Sequence, residues 1–299
     1  MITHLDLFSG IGCFAHALDK LSEAEHTFVE YEPHLQRVLR KNFKTSVIHG
    51  DIKEFHPSFQ PWIITGGFPC QDISRANPNA TGIAGARSGL WSHYARVISK
   101  CHPKYVLIEN VYDLLSRGLG VVLQDLASLG YDSAWTVIDS RYTGVAQRRR
   151  RVYILGVRDG IPSGTDIFQC SERAGTAVSR RAQAIDKSHA DNHAAFDAVG
   201  EPVAYFTRQS FSLFATCGVS STLAKRDSKS HTDIVFQSGN LRRTGVKERL
   251  RLQGLPSAWL DDCDLSKTQQ YSANGMTVPA VVWVLQQLIK FDNGLDVQH

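Results

Sequence analysis

The first 160 residues alternate between short apolar runs and segments whose apolar residues recur every three or four positions. Short apolar runs are typical of buried strands, and the longer spacing is typical of helices with one apolar face. The predicted strands cover residues 4–8, 27–30, 47–52, 62–65, 105–109, 135–139 and 151–157. The predicted helices cover residues 14–21, 33–43 and 119–129. This order predicts an α/β fold with a mostly parallel sheet and helices on both faces.

The pattern changes near Arg158. From residue 159 to about residue 238 the chain is richer in Ser, Thr, Gly, Ala and His, and strands no longer alternate with helices. We therefore expect a second, smaller and irregular domain in this stretch. A short helix at residues 248–252 and a last amphipathic helix at residues 279–291 complete the prediction.

Length and composition exclude several classes of protein but do not indicate a function. The 299 residues suffice for a large core and two domains. No apolar run approaches the roughly 18 residues of a membrane span, and no secretion signal is recognisable, so we expect a cytoplasmic protein. The six cysteines are scattered and lack zinc-knuckle spacing, so we expect neither a disulfide framework nor a metal site.

The net charge of +4 is mild and permits a polyanionic partner without requiring one. Basic residues cluster, most densely at residues 148–151, where four arginines follow Gln147. An isolated run of this kind is usually a solvated charged face. A polyanion-binding surface is the alternative interpretation.

Cys70 follows the predicted strand at residues 62–65 and a turn at residues 66–69 that contains two glycines and a proline. Pro69 stiffens the backbone immediately before the thiol. Open α/β sheets bind their ligands beyond the carboxyl ends of their strands, which suits a nucleophile at this place. A free cysteine is also commonly a small buried apolar side chain, so both interpretations stay open.

A glycine turn at residues 8–12 joins the first predicted strand to the first predicted helix. Glycines let a ligand approach the backbone and leave amide groups free at the start of a helix. Glu30 lies twenty residues past Gly10, where dinucleotide folds place an acid on ribose hydroxyls, and Asp51 follows the next predicted strand. Ala15 replaces the third glycine of the dinucleotide fingerprint. A nucleoside without a pyrophosphate fits better, and a plain tight turn is the alternative.

Glu109 ends the apolar run at residues 105–108, where a carboxylate can hold or deliver a proton. A structural carboxylate paired with an arginine is the alternative. Arg149 and Arg151 stand two residues apart before or within a predicted strand, so we expect them to share a face. Two convergent guanidinium groups suit a phosphate, a carbonyl oxygen or a carboxylate.

Together these segments resemble the DNA (cytosine-5) methyltransferases of bacteria and phages. The family's order is kept by DLFSGIG at residues 6–12, GGFPCQDIS at 66–74, ENV at 109–111, QRRRR at 147–151, ERLRLQGLP at 248–256 and SANGMTVP at 272–279. The resemblance spans nearly the whole chain. It implies a Rossmann-like, S-adenosylmethionine-dependent methyltransferase domain with a smaller irregular target-recognition domain.

The resemblance implies domain boundaries and a chemistry. The catalytic domain would hold residues 1–160, the target-recognition domain residues 161–262, and residues 263–299 would return to the catalytic domain. The implied reaction is methyl transfer to carbon 5 of cytosine in a specific double-stranded DNA sequence, after base flipping. The matching catalytic residues are Cys70, Glu109, Arg149 and Arg151.

In this resemblance, Cys70 attacks carbon 6 of the cytosine. Glu109 hydrogen-bonds the ring nitrogen and the amino group, and Arg151 with Arg149 meets the base carbonyl.

S-adenosylmethionine is the cofactor that the resemblance implies. The matched cofactor positions are Phe8, Gly10, Ile11, Gly12, Glu30, Tyr31, Asp51, Ile52, Pro69, Leu90 and Asn274. Glu30 would bind the ribose and Asp51 the amino group of the adenine. Tyr31 and Ile52 would contact the adenine ring.

Double-stranded DNA is the implied partner, with a cognate restriction endonuclease that acts on the same site, and the chain is expected to act as a monomer. A closing loop at about residues 71–88 and the region at residues 159–238 would contact the DNA. The residues assigned to DNA are Gln71, Ser74, Arg75, Arg87, Thr222, Leu223, Lys225 and Arg226.

Two departures from the family's pattern stand in the last third of the chain. Arg242 and Glu248 are kept where the family shows Arg-x-Leu-Thr-x-x-Glu, but the residues between them differ, which puts the packing there in doubt. Gly275 replaces a serine whose hydroxyl contact is therefore missing.

Two rival functions remain from the sequence. One is methylation of cytosine in transfer RNA, as in one branch of the family. The other is DNA binding without catalysis, which fits poorly because the four catalytic positions are intact.

Overall fold

A computed structural model describes residues 1–69, 89–168, 204–208, 214–217, 220, 233–237, 240–261, 263 and 275–294. The chain divides into two compact units. The first unit comprises Met1–Ile138, Arg150–Gln169 and Val281–His299, and the second comprises Asp139–Arg149 and Cys170–Ala280. The boundaries drawn from the sequence at residues 160 and 262 stay a prediction, because these units are defined by packing alone.

A seven-stranded sheet forms the centre of the first unit. Its strands are β1 (Ile2–Leu7), β2 (Ala24–Val29), β3 (Val47–His49), β4 (Ile63–Gly66), β5 (Tyr105–Val111), β6 (Asp132–Asp139) and β7 (Arg150–Val157). They lie in the order β3-β2-β1-β4-β5-β7-β6. Strands β1 to β5 pair in parallel, and β7 runs antiparallel to β5. This confirms the predicted α/β fold with a mostly parallel sheet.

Helices follow most of the strands. They are α1 (Cys13–Asp19), α2 (Pro33–Asn42), α3 (Leu90–Cys101), α4 (Leu114–Arg117), α5 (Leu119–Ser128), α6 (Val246–Leu252) and α7 (Val278–Asp292). Pro33 occupies the first turn of α2, where its missing N–H costs no hydrogen bond. Helix α3 is absent from the prediction, although Trp91, Tyr94 and Ile98 are buried at helical spacing.

Burial on both faces explains the apolar runs of the central strands. All four residues of β4 are buried, as are the first six residues of β5. Strands covered on both faces lose the alternation of apolar and polar residues that marks half-exposed strands.

The register then aligns the carboxyl ends of the parallel strands. Leu7 is opposite both Val29 and Gly66, and Gly66 is opposite Ile108. The segments that follow β1, β2, β4 and β5 therefore begin at one edge of the sheet.

A smaller sheet lies in the second unit. Its strands β8 (Ala204–Arg208), β9 (Phe214–Cys217), β10 (Asp233–Gln237) and β11 (Asn240–Arg243) lie in the order β11-β10-β8-β9. All neighbouring pairs are antiparallel. The sequence analysis expected an irregular region here. These strands have four or five residues each, too few for periodicity to distinguish them from loop.

Among the described residues, no helix has both the length and the apolar character needed to cross a membrane.

Candidate active site

The turn after β1 has a backbone shaped by its glycines. Gly10 and Gly12 have φ angles of 58° and 83°, and Phe8 reaches 55° although it carries a side chain. A Cβ at Gly12 would lie 2.6 Å from the Phe43 ring, so only glycine fits there. The backbone therefore packs against α2 and leaves its other side to a ligand.

Glu30 holds this turn in place. Its Oε2 accepts a hydrogen bond from the Gly10 N–H at 2.8 Å, and its Oε1 accepts one from the Glu32 N–H at 2.9 Å. Burial raises the pKa of Glu30 above the ordinary value of a glutamate, although the two amide bonds oppose the rise. Each oxygen keeps a second lone pair, so the carboxylate can still accept from hydroxyl groups of a ligand.

The other predicted cofactor residues differ in how much of each side chain is exposed. The Tyr31 ring is 70% exposed beside Glu30, whereas Ile52 and Ile11 are buried. Asp51 accepts a hydrogen bond from the Lys53 N–H at 2.9 Å, which fixes the loop after β3. Leu90 is half-buried at the start of α3.

A second aromatic surface begins at Phe8, whose ring stacks on Tyr94 of α3 at a centroid distance of 6.2 Å. Beneath the turn, Asp6 is completely buried at the end of β1. Its Oδ2 accepts no hydrogen bond from any described residue. Burial raises the pKa of Asp6 well above its ordinary value, and the nearby Glu30 carboxylate adds to the rise.

These features fit an adenosyl cofactor that carries positive charge. An exposed aromatic ring beside a held carboxylate suits a nucleoside, and an unpartnered buried carboxylate oxygen suits a cation. The residues present therefore agree with S-adenosylmethionine as the group bound here.

The segment that leads to Cys70 runs along the end of β5. A Cβ at Gly67 would lie 3.2 Å from Glu109 Oε2, so the backbone passes directly beside that carboxylate. Asn110 Nδ2 donates to the Phe68 carbonyl at 3.2 Å, and Asn110 Oδ1 accepts from the Val111 N–H at 2.8 Å. The segment is therefore tied to the strand end that carries Glu109.

Arg151 joins this edge from β7. Its Nε lies 3.0 Å from Glu109 Oε1, and its Nη1 donates to the Arg150 carbonyl at 2.8 Å. Among the described residues, Glu109 has no other polar partner. The sheet register makes this pair: Val111 is opposite Arg151, which places Glu109 one step away on the same face.

Arg149 lies outside the strand that carries Arg151. Strand β7 begins at Arg150, so Arg149 directly precedes it, and the expectation that it shares a face with Arg151 stays a prediction. Arg149 is buried in the second unit, where its carbonyl accepts a hydrogen bond from the Ser140 N–H at 2.9 Å. Its catalytic role stays a prediction.

Many predicted site residues lie outside the described residues. They are Cys70, Gln71, Ser74, Arg75, Arg87, Thr222, Leu223, Lys225, Arg226 and Asn274. Pro69, the last described residue before Cys70, is exposed. Ser220 exchanges backbone hydrogen bonds of 2.8 Å with Ala146 and Arg148, so the chain just before Thr222 is bound to the arginine run.

Sequence reasoning missed a cation stacked on an aromatic ring at the same edge. The Arg150 guanidinium lies 3.9 Å from the centre of the Tyr112 ring. The register of β5 and β7, continued by one step, places these two residues opposite each other. Arg150 is exposed and has no acidic partner within the described part of the chain. Only the antiparallel register could have revealed the pair.

In the second unit, the two family residues that the sequence keeps form an ion pair. The Arg242 guanidinium donates to both oxygens of Glu248 at 2.8 and 2.7 Å. The Gly245 N–H donates to Glu248 Oε2 at 2.6 Å. Burial alone raises the pKa of Glu248, but these hydrogen bonds outweigh it and hold that pKa below the ordinary value.

The sequence matches one family model and several methyltransferases. The model of the family described as C-5 cytosine-specific DNA methylase matches residues 2–290. The type II methyltransferase M2.BsuMI of Bacillus subtilis is 30% identical over 265 residues, and the match covers 85% of this chain but 65% of that protein. The type II methyltransferase M.NgoBI of Neisseria gonorrhoeae is 28% identical, with 94% of this chain and 91% of that protein covered.

Among solved structures, the methyltransferase EhMeth of Entamoeba histolytica superposes with a TM-score of 0.68. The superposition covers 99% of each chain at 14% sequence identity. At this identity the likeness shows a shared fold.

Proposed function

Because this chain belongs to the C-5 cytosine-specific DNA methylase family, we propose that it methylates carbon 5 of cytosine in a specific double-stranded DNA sequence. One observation carries the proposal: the backbone that leads to Cys70 lies beside Glu109, and Glu109 is paired with Arg151. A nucleophile, a carboxylate and a guanidinium would then converge at the end of β5. Each can act on a different position of one pyrimidine ring.

S-adenosylmethionine is the proposed methyl donor, and when bound it supplies a methyl group on a positively charged sulfur. The turn at residues 8–12 would hold it, with Glu30 on the ribose hydroxyls and the exposed Tyr31 ring on the adenine. Asp51 and Ile52 would bind the edge and face of the adenine. Pro69, Leu90 and Asn274 complete the proposed set.

Cys70 would begin the reaction. A free thiol has a pKa of about 8.5, so only a few per cent is thiolate at neutral pH. The Cys70 sulfur forms a bond to carbon 6 of the cytosine, and the electron pair of the ring moves to carbon 5. Carbon 5 would take the methyl group and pass its proton to a water molecule, and the bond between sulfur and carbon 6 would then break, so that the Cys70 thiolate is restored.

Glu109 would stabilise the charge that this attack creates. Its carboxyl group can hydrogen-bond the ring nitrogen and the exocyclic amino group, where electron density gathers. Arg151 contacts Glu109 through Nε and the Arg150 carbonyl through Nη1, so its Nη2 would remain to meet the base carbonyl. Arg149 is proposed to assist from the residue before β7.

The target carbon lies inside the base stack of a duplex, so the cytosine must be turned outwards. Gln71, Ser74, Arg75 and Arg87 are proposed to grip the DNA around the vacated position. Base-edge contacts are proposed from the second unit, at Thr222, Leu223, Lys225 and Arg226. The exposed Arg150, held over Tyr112, is proposed to bind a phosphate beside the target.

The proposed partners are double-stranded DNA and a cognate restriction endonuclease that recognises the same site. The chain is proposed to act as a monomer. Phosphate contacts release counterions, so the affinity for DNA should fall steeply with salt.

The variant Cys70→Ser tests the proposed function. We expect it to lose methyl transfer to duplex DNA by at least about 10⁴-fold, since the covalent route is closed. Folding and cofactor binding should be unchanged, because a serine fits where a cysteine did. Labelled S-adenosylmethionine with a DNA library measures the transfer, and calorimetry measures the binding.

Three outcomes contradict the proposal. Full activity of the serine variant would remove Cys70 as nucleophile. Transfer to transfer RNA but not to DNA would favour the rival substrate. Absence of covalent trapping by DNA that contains 5-fluorocytosine would favour a binding protein without catalysis.

A further inference from the structure

Five side chains form an unbroken line of polar contacts through the first unit. His26 Nε2 is 2.8 Å from Asp19 Oδ1, and His26 Nδ1 is 2.8 Å from His4 Nδ1. His4 Nε2 is 2.7 Å from Thr65 Oγ1, which in turn is 2.7 Å from Asp6 Oδ1. Asp19 is 42% exposed, and the other four side chains are buried. The line thus connects the surface at α1 to the carboxylate beneath the cofactor turn.

Counting hydrogens shows that this line holds one extra proton. Its four contacts are hydrogen bonds, and each needs one hydrogen between its two atoms. The Thr65 hydroxyl supplies one, and two neutral imidazoles supply one each. Three hydrogens cannot complete four bonds. One further proton must reside in the line when both carboxylates are otherwise ionised.

The extra proton can reside at either end of the line. In the first arrangement Asp6 is protonated and its O–H donates to Thr65, both imidazoles are neutral, and all four hydrogen bonds have a hydrogen. Alternatively, Asp6 is ionised, three of the four hydrogens have crossed their own hydrogen bonds to the outer atom, and His26 is an imidazolium against Asp19. Only O–H and N–H bonds change between the two arrangements, and the number of protons is the same. Burial raises the pKa of Asp6 and lowers the pKa of His4, which favours the first arrangement in the free protein.

Asp6 stands near the end of β1, directly before the turn at residues 8–12 that the proposed function assigns to the cationic cofactor. Its Oδ2 is buried without a hydrogen bond from the described residues, and so is the hydroxyl of Tyr94. Phe8, two residues after Asp6, stacks on Tyr94. Glu30, the second carboxylate near Asp6, binds the same turn. A positive charge near this pair favours the ionised form of Asp6.

We propose that His4, His26 and Thr65 are positioning residues that take up the proton of Asp6 when the cationic cofactor binds. Asp6 then becomes charged without releasing a proton to the solvent, and cofactor affinity stays independent of pH near neutrality. The choice of ligand rests on the proposed function, whereas the proton count does not. The proton moves from Asp6 to Thr65, from Thr65 to His4, and from His4 to His26.

The other charged or titratable groups around the line are few. Glu30 and the Tyr94 phenol act on Asp6, and His16 and Lys20 lie near Asp19. His26 is otherwise flanked by the rings of Phe28 and Phe43, which carry no charge. The proton therefore has a sheltered acceptor whose counterion is Asp19.

Calorimetric titration of the full chain with S-adenosylmethionine tests the proposal. Titrations at pH 7.5 in two buffers of different ionisation enthalpy report how many protons are released on binding. We expect about zero for the natural chain and a value approaching one for Thr65→Val, which cuts the line between Asp6 and His4. The affinity of Thr65→Val should rise towards tenfold per pH unit between pH 6.5 and 8, because one proton must then leave to the solvent.

Conservative and matched variants separate this role from a structural one. Thr65→Ser keeps a hydroxyl and should restore zero release. Thr136→Val removes a buried hydroxyl of β6 and should resemble the natural chain. His26→Phe cuts the line at its outer part, among aromatic neighbours that can receive a ring, and should resemble Thr65→Val even if the latter does not fold.

Equal proton release by the natural chain and by both cutting variants would overturn the proposal. So would a natural chain that fails to bind the cofactor. Methyl transfer to DNA, assayed on the same preparations, reports separately on the proposed function. A chain that binds the cofactor with zero proton release but methylates no DNA would contradict that function and leave the proton relay standing.

Discussion

Two buried or half-buried glutamates, one in each unit, are paired with arginine in different ways. Glu248 in the second unit accepts two hydrogen bonds from Arg242 and a third from the Gly245 N–H. Glu109 in the first unit meets Arg151 at one oxygen only, at 3.0 Å. Glu248 therefore has three of its acceptor positions filled, whereas Glu109 retains most of its acceptor positions at the sheet edge.

The number of hydrogen bonds that each carboxylate accepts distinguishes a structural ion pair from an ion pair that can bind a ligand. A bidentate pair that also binds a backbone N–H fixes the local backbone and has little acceptor capacity left for a ligand. A carboxylate with a single partner is costly to bury unless something else completes it. In the proposed reaction the cytosine donates hydrogen bonds to the free acceptor positions of Glu109, so the bonds that the free protein lacks are made when the base binds.

The largest expected effect comes from Glu109→Gln. We expect turnover to fall by about 10²- to 10³-fold, because the charge that develops on the ring loses its partner. The free energy of unfolding should change little, since Glu109 has only one contact to lose. Single-turnover methylation of duplex DNA and urea unfolding measure the two quantities. An unchanged rate would remove Glu109 from the mechanism.

We expect Glu248→Gln to lower stability and to leave turnover unchanged, the opposite of Glu109→Gln. We expect a loss of about 1.5–3 kcal/mol in the free energy of unfolding, because charge-assisted hydrogen bonds are broken, with turnover per folded molecule unchanged. The pKa of Glu248 is lowered in the folded chain, so its stabilisation is present above the unfolded value of about 4.3 and is lost as pH falls through the folded value.

Urea unfolding between pH 3 and pH 7 measures this prediction. The difference between Glu248→Gln and the natural chain should shrink towards the acid end. A difference that stays constant with pH would show that ionised Glu248 does not supply the stabilisation.

The smallest expected effect concerns two arginines that lie over tyrosine rings, one in each unit. Arg150 and Arg141 both lie over tyrosine rings, at 3.9 and 5.5 Å, but Arg141 is hydrogen-bonded to Asp139 at 2.8 Å. Arg150→Ala should weaken DNA binding about fivefold, since an exposed ion pair contributes at most ~1 kcal/mol. It should also lower the salt slope by about 1.

Arg141→Ala is the matched control and should leave both quantities unchanged. Fluorescence anisotropy of labelled duplex DNA at several salt concentrations makes the measurement. Equal effects of the two variants would show that Arg150 is not a specific phosphate contact.

Much of the first unit could be predicted because its signals are local. The apolar run before Glu109 and the glycines after Leu7 mark strand ends from a few neighbouring residues. Glu30, noted in the sequence for its place twenty residues past Gly10, accepts a hydrogen bond of 2.8 Å from the Gly10 N–H. The roles of these residues towards cofactor and base stay predictions.

Other contacts depended on pairings that no local pattern contains. Arg149 falls before β7 because the start of that strand is set by its partner strand β5. The short strands of the second unit had too few residues to show a period. His4 and His26 drew no attention as separate histidines, and they meet because β1 and β2 pair side by side.

The sequence by itself determined the strands of the first unit, most of its helices and the residues that stand where those strands end, since backbone preference and apolar spacing act between near neighbours. The tertiary structure alone decided which of those residues meet. Glu109 came to face Arg151, and Asp6 came to share a proton with two histidines, because strand register and burial join residues far apart in the chain.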